Sequence, residues 1–252
     1  MLVLTQFILR LSLGMAAAMA TVSPRLVTSG YYRNNLYVLL GLNVLAALVA
    51  WTARADISLW IAPPAATAIV CYAGVIAWLY QRPTAGIGLL WGVAGLSALS
   101  CWLDTPAVVH TGASRLLTML DPLGGGLVLG LTMSAMLLGH WYLNSPGMQI
   151  APLKRLVLLL IAAVVVRALI SGSGLAATMA LGEAGNLHWW LFVLLRWLSG
   201  VVGTLLVAIM TWKTLEIPNT QSATGILYVG VLATFLGELT AQLLSRDSVY
   251  PL

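Results

Sequence analysis

Apolar residues gather along the chain in eight runs of about twenty, and the polar residues between them are mostly helix breakers. The runs cover about 3–22, 36–53, 60–81, 86–103, 124–144, 156–174, 189–211 and 223–245. A helix of about 20 apolar residues crosses a hydrocarbon core of roughly 30 Å. The segments "SPRLVTSGYYRNN", "QRPTAG", "NSPGMQIAP" and "EIPNTQS" carry the Pro, Gly, Asn and charge that end such helices. The pattern therefore predicts an all-α, polytopic transmembrane helical bundle of about eight spans, with residues 1–252 forming a single integral membrane domain. The third span has the least defined start, because "IAPPAAT" puts two prolines near its end.

Composition agrees. Of 252 residues, 60% are hydrophobic and only 8% charged, against about a quarter charged in soluble domains. The net charge of +5 is then mainly loop charge, which bears on orientation and gives no reason to expect a nucleic-acid partner. The first, third, fifth and seventh connections hold Arg25, Arg33, Arg82, Lys154, Arg155 and Lys213, whereas the opposite side holds Arg54, Arg115 and Arg246. Positive residues favour the cytoplasmic side, so both termini are expected outside the cytoplasm of a bacterial inner membrane. The opening "MLVLTQFILRLSLGMAAAMAT" lacks a basic leader and is interrupted by Arg10, which reads as a retained first helix rather than a signal peptide. Tyr31, Tyr32, Trp141, Trp189 and Trp190 near span ends fit interfacial belts.

Four ionisable residues interrupt the apolar runs: Arg10, Arg167, Arg196 and Glu238. At about 1.5 Å per helical residue all four fall between the membrane midplane and the outer surface. Gln6 and Gln242 lie one turn outward from Arg10 and Glu238 on the same faces. Three guanidiniums against one carboxylate leave two positive charges without a partner, and an unpaired buried charge is costly. Such residues are functional candidates. Arg10, Arg167, Arg196 and Gln242 are thus expected to bind an anionic ligand, with Glu238 as a proton donor or acceptor. A guanidinium fork suits carboxylate or phosphate, so haem propionates, a lipid head group or a reduced quinone oxygen would each qualify. "RLSLG", "RALISG" and "RWLSG" set a Ser or Gly just after each Arg, which would open space beside it. Inverted-repeat halves of the kind many transporters show are not visible.

Of the three histidines, His140 falls near the inner end of a span, while His110 and His188 fall on the outer side. Only His110 and His188 are placed to share a haem b iron. Cys71 and Cys101 fall at different depths, without CxxC or zinc spacing. "SRLLTML" and "GLAATMALGE" read as short surface or re-entrant helices roofing the outer cavity. "DPLGGGLVLG" lacks the residues of a phosphate loop and reads as a flexible entry to the fifth helix.

These features predict a small membrane subunit of a bacterial respiratory or electron-transfer complex. It would hold a quinone, haem or lipid in an Arg/Glu pocket among membrane lipids, docked on other membrane or periplasmic subunits. The alternatives are a transporter or flippase for an anionic amphiphile, with Asn43 and His140 lining its inner half, and a structural or assembly subunit without a cofactor.

Overall fold

The computed structural model describes residues 2–53, 57–103, 113–145, 147–182, 185–217, 219–246, 248 and 250–252. Its elements are α1 (Leu2–Thr21), α2 (Ser29–Ala53), α3 (Ile57–Leu79), α4 (Pro83–Leu103), α5 (Ala113–Asn144), α6 (Ala151–Ala180), α7 (Leu187–Leu195), a π-helical segment (Arg196–Gly203), α8 (Thr204–Glu216) and α9 (Thr220–Leu244). α7, the π segment and α8 are continuous, so the described residues make eight rods, each long and apolar enough to cross a membrane. It is an all-α bundle.

The rods form two groups of the same design. α1 packs on α2 and on α4, and α3 packs on both of those. In the second group α5 packs on α6 and α9, while the rod from α7 to α8 packs on both of those. Each group is therefore a ring of four antiparallel neighbours. The rings meet where α1 lies against α5, and the first rod of each also touches the last rod of the other. Four spans per ring give both the same direction through the bundle, a relation that a search for inverted halves misses. α1 and α5 are the interior pair: 78% of the apolar window is buried in each, against 28–44% in the other six.

Glycine sets how closely that pair approaches. A β-carbon at Gly14 would overlap the Gly126 carbonyl, and one at Gly130 would overlap the Gly14 backbone. Small residues four apart let membrane helices meet backbone to backbone, and this crossing fixes the depth of α1 relative to α5. Beyond it toward the α5 C-terminus the interior holds apolar side chains, with Met15, Met19, Leu129, Leu138, Leu156 and Ala208 all buried.

Several local expectations need correction. α2 begins at Ser29, so "SGYYRNN" is helix rather than a break. Tyr31 and Tyr32 are fully buried instead of interfacial; Tyr31 Oη donates to the Ser134 carbonyl (3.2 Å) and Tyr32 Oη to that of Val22 (2.9 Å). "SRLLTML" is the start of α5, and most of "GLAATMALGE" is the end of α6. Both are continuous parts of rods about 45–48 Å long. The sequence rule that a polar or proline-containing stretch ends a span fails here because packing against neighbours, rather than propensity, sustains the helix. α3 likewise runs through Pro63 and Pro64, and Thr67 Oγ1 donates to the Pro63 carbonyl at 2.8 Å. No disulfide joins Cys71 and Cys101.

The glycine crossing gives a direct test. Gly130→Val drives a branched side chain into the α1 backbone, and overpacking of this kind costs about 1–3 kcal/mol or more. Gly41→Val, where a β-carbon meets nothing within 4 Å, leaves the thermal midpoint in detergent nearly unchanged. Equal midpoints for the two variants would remove the crossing from this account.

A candidate anion site in a buried arginine–carboxylate network

Arg10 and Asp121 stand at matching places, each about 12 Å into a helix that starts from the same end of the bundle. Arg167, Arg196 and Glu238 come from the second ring and reach the same level. Five charged groups meet there, with Arg167, Arg196 and Glu238 each only 1% exposed.

Arg167 is the hub. Its Nε and Nη2 donate to Glu238 Oε1 and Oε2 at 3.0 and 2.9 Å, a paired fork, and its Nη1 donates to Asp121 Oδ1 at 2.6 Å. Charge-assisted, paired hydrogen bonds of this geometry are the strong kind. Asp121 Oδ2 takes Arg10 Nη2 at 2.6 Å. Arg10 Nε donates to Gln6 Oε1 (3.3 Å), and Gln6 Nε2 donates to the Cys101 carbonyl (2.8 Å). Arg196 is held at one nitrogen only: Nη2 lies 3.2 Å from Glu238 Oε1 and donates to Ser171 Oγ at 3.0 Å.

The run "DPLGGG" is what makes room for this network, and it is helical rather than a flexible entry. A β-carbon at Gly125 would stand 2.5 Å from Glu238 Oε2 and 3.4 Å from Arg10 Nη1, and one at Gly124 3.4 Å from Arg167 Cδ. The glycines let α5 press its backbone against three charged side chains from three other helices. Arg196 opens the π-helical segment, a rare geometry that is frequent at functional sites. Its guanidinium turns back over its own helix, where a β-carbon at Gly200 would meet Nη1 at 2.5 Å. Gly200 also crosses Gly237 of α9 at backbone contact. One turn deeper, a hydroxyl chain links Thr132, Thr234 and Thr204, with oxygens 3.3 and 3.1 Å apart.

The sequence expectation named Arg10, Arg167, Arg196, Glu238 and Gln242; the first four meet in one network, and Gln242 is buried one turn along α9 from Glu238. It missed Asp121, which lay just before the assumed start of the fifth span. With Asp121 included, one positive charge is unmatched, rather than two. That imbalance has an atomic counterpart: Arg196 Nε and Nη1, Arg10 Nη1 and both amide atoms of Gln242 are buried with no hydrogen-bond partner among the described residues. The small residues after each Arg do other work than expected. Ser12 bonds Ser97 at 3.1 Å, Gly14 makes the helix crossing, and Ser199 donates to the Ala233 carbonyl at 2.9 Å. Only Gly200 and Ser171 serve a guanidinium.

His188 is exposed at the start of α7 and His140 is exposed on α5; neither enters the network. His110 lies outside the described residues. Among the described residues no group of His, Cys, Asp and Glu is arranged to hold a metal ion.

The fold and site together define a multi-pass membrane protein with a charged network sealed between its helices. Comparison with family models, curated proteins and solved structures finds no match to this chain.

Charge counting predicts unequal mutants. Asp121→Leu leaves three guanidiniums facing one carboxylate, and breaking a buried pair costs about 3–5 kcal/mol. Arg10→Leu leaves two of each sign and costs clearly less, and Arg10→Leu added to Asp121→Leu restores most of the loss. Thermal unfolding of the two single variants and the double variant in one detergent reads this coupling; equal, additive losses would contradict it.

Proposed function

We propose that this protein holds one singly charged anionic group, the head of a membrane amphiphile, against Arg196, Arg10 and Gln242. The observation that carries the reading is the coincidence of one unmatched positive charge with partnerless donors on those residues. A carboxylate, a phosphate ester or an ionised quinone oxygen would supply both the missing charge and the missing acceptors. Arg167 is the fixed centre, since every one of its nitrogens already has a carboxylate oxygen. Glu238 serves as an anchor for Arg167 and Arg196; with both oxygens taken, it is better suited to positioning than to proton transfer.

The setting that suits such a site is a small membrane subunit of a bacterial respiratory or electron-transfer assembly. It would sit in the inner membrane with the network toward the outer leaflet and the basic end toward the cytoplasm. A transporter or flippase for the same amphiphile is the second reading. Two rings of the same direction favour it, because parallel repeats also occur in transporters. Against it stand the apolar core beyond the glycine crossing and the exposed His140. Asn43 is engaged as well, donating to Ser12 Oγ at 2.7 Å.

Solvent extraction of protein purified in mild detergent, followed by mass spectrometry, tests the proposal. About one anionic amphiphile per chain is expected in the wild type. Arg196→Gln, which keeps a donor toward Ser171, is expected to fold and to lose that molecule, with a smaller stability loss than Arg167→Gln. A quinone in the extract supports the respiratory setting; a phospholipid or polyprenyl phosphate supports the lipid-handling one. A wild type carrying no such molecule, or an Arg196→Gln protein that retains it undiminished, would overturn the proposal and leave a structural ion network.

A further inference from the structure

The segment after α9 folds back into the network end of the second ring. Pro251 and Leu252 are both buried there. The Leu252 side chain packs in a small cluster with Val193 of α7 and Leu244 of α9, flanked by Leu175, Trp189 and Trp197. Pro251 lies backbone to backbone on α6, since a β-carbon at Gly174 would overlap the Pro251 carbonyl. Leu252 N donates to Ser245 Oγ, at the end of α9, over 2.9 Å.

Each of these footholds stands three residues from a member of the Arg196 site on the same helix, a rise of about 4.5 Å. Gly174 follows Ser171, whose hydroxyl takes Arg196 Nη2 at 3.0 Å. Val193 precedes Arg196 itself, and Ser245 follows Gln242. Residues three apart share a helix face. Three helices therefore hold the segment directly over the site, one turn nearer the end of the bundle.

The helices alone close this place poorly. α6 rests on the π segment and on α8, whereas its packing on α7 is slight. The segment bridges that seam, with Pro251 on α6 and Leu252 on α7. Its own attachment is light. The cluster around Leu252 is separate from the main core, and among the described residues the bond to Ser245 is the one hydrogen bond that ties Pro251 and Leu252 down. Parts with few buried contacts open locally while the rest stays folded, and such covers commonly gate binding and release.

We propose that the Pro251–Leu252 segment is a strap closing the Arg196 site. It lifts from Gly174 to let a head group pass between α6 and α7 while the chain of the amphiphile stays in lipid. The gating role rests on the reading of Arg196 as an anion site; the closure is testable without any bound amphiphile.

Ser171→Cys places a reporter thiol beneath the strap in the full chain, reconstituted in nanodiscs. Its reaction with the anionic reagent 2-sulfonatoethyl methanethiosulfonate is followed by mass spectrometry. The protein without the reporter supplies the baseline, since Cys71 and Cys101 are buried. Adding Gly174→Val, which pushes Pro251 off α6, or Leu252→Ser, which removes the apolar anchor, is expected to speed labelling about tenfold or more. Leu252→Ser leaves α6 untouched, so it still decides the matter if Gly174→Val fails to fold. Without the reporter, both variants should also lose the co-purified amphiphile to phosphatidylcholine vesicles faster than the wild type does. Labelling unchanged by Leu252→Ser would overturn the strap, whatever the wild type carries. Faster labelling with unchanged loss of amphiphile would overturn its gating role. Faster labelling of a protein whose wild type carries no amphiphile supports the strap and overturns the anion-site reading instead.

Discussion

The hydrogen-bonded grip of Arg167 on Glu238 and Asp121 is the interaction on which the rest of the structure depends. A guanidinium keeps its proton, so when buried it must have carboxylate partners or face a large desolvation cost. That requirement sets the glycines of α5, which clear the path for side chains arriving from α1, α6 and α9. It also sets the depth of α1, whose Arg10 reaches Asp121 only because Gly14 settles against Gly126 and Gly130. Helix packing and charge pairing are here one constraint, read from two sides.

The network is asymmetric in a way that stability alone does not require. A purely structural ion cluster is best closed, with equal charges and every donor used. Arg167 meets that standard, whereas Arg196 does not: it sits where the helix widens into π geometry, uses one nitrogen, and leaves two. Two of the partnerless donors and the irregular backbone fall on the same residue. This separates a rigid part of the network, built around Arg167, from a part poised to take a partner.

Much of this was legible in the chain. The eight apolar runs give the eight rods, because the length of a membrane-crossing helix is set by the bilayer. The four ionisable residues inside those runs declare themselves, since charge amid apolar residues has few explanations. Asp121 escaped because it precedes Pro122 and three glycines, a composition that reads as a loop when propensity is weighed alone. The signal was present in the charge count: two unpaired guanidiniums call for another carboxylate, and Asp121 borders a span at the right end. Tyr31 and Tyr32 escaped for a similar reason, their helix being held by tertiary contacts. The same-direction pairing of rings leaves no comparable trace, since it is a property of which helices touch.

An experimental density map of the protein in lipid nanodiscs, resolved around Arg196 and Gln242, tests the central claim most directly. The account predicts a compact, headed density within hydrogen-bond reach of Arg196 Nε or Nη1 and of the Gln242 amide, continuing into an acyl or prenyl tail. Arg196 turned out toward the lipid, or those donors met only by water and main-chain oxygen, would contradict it.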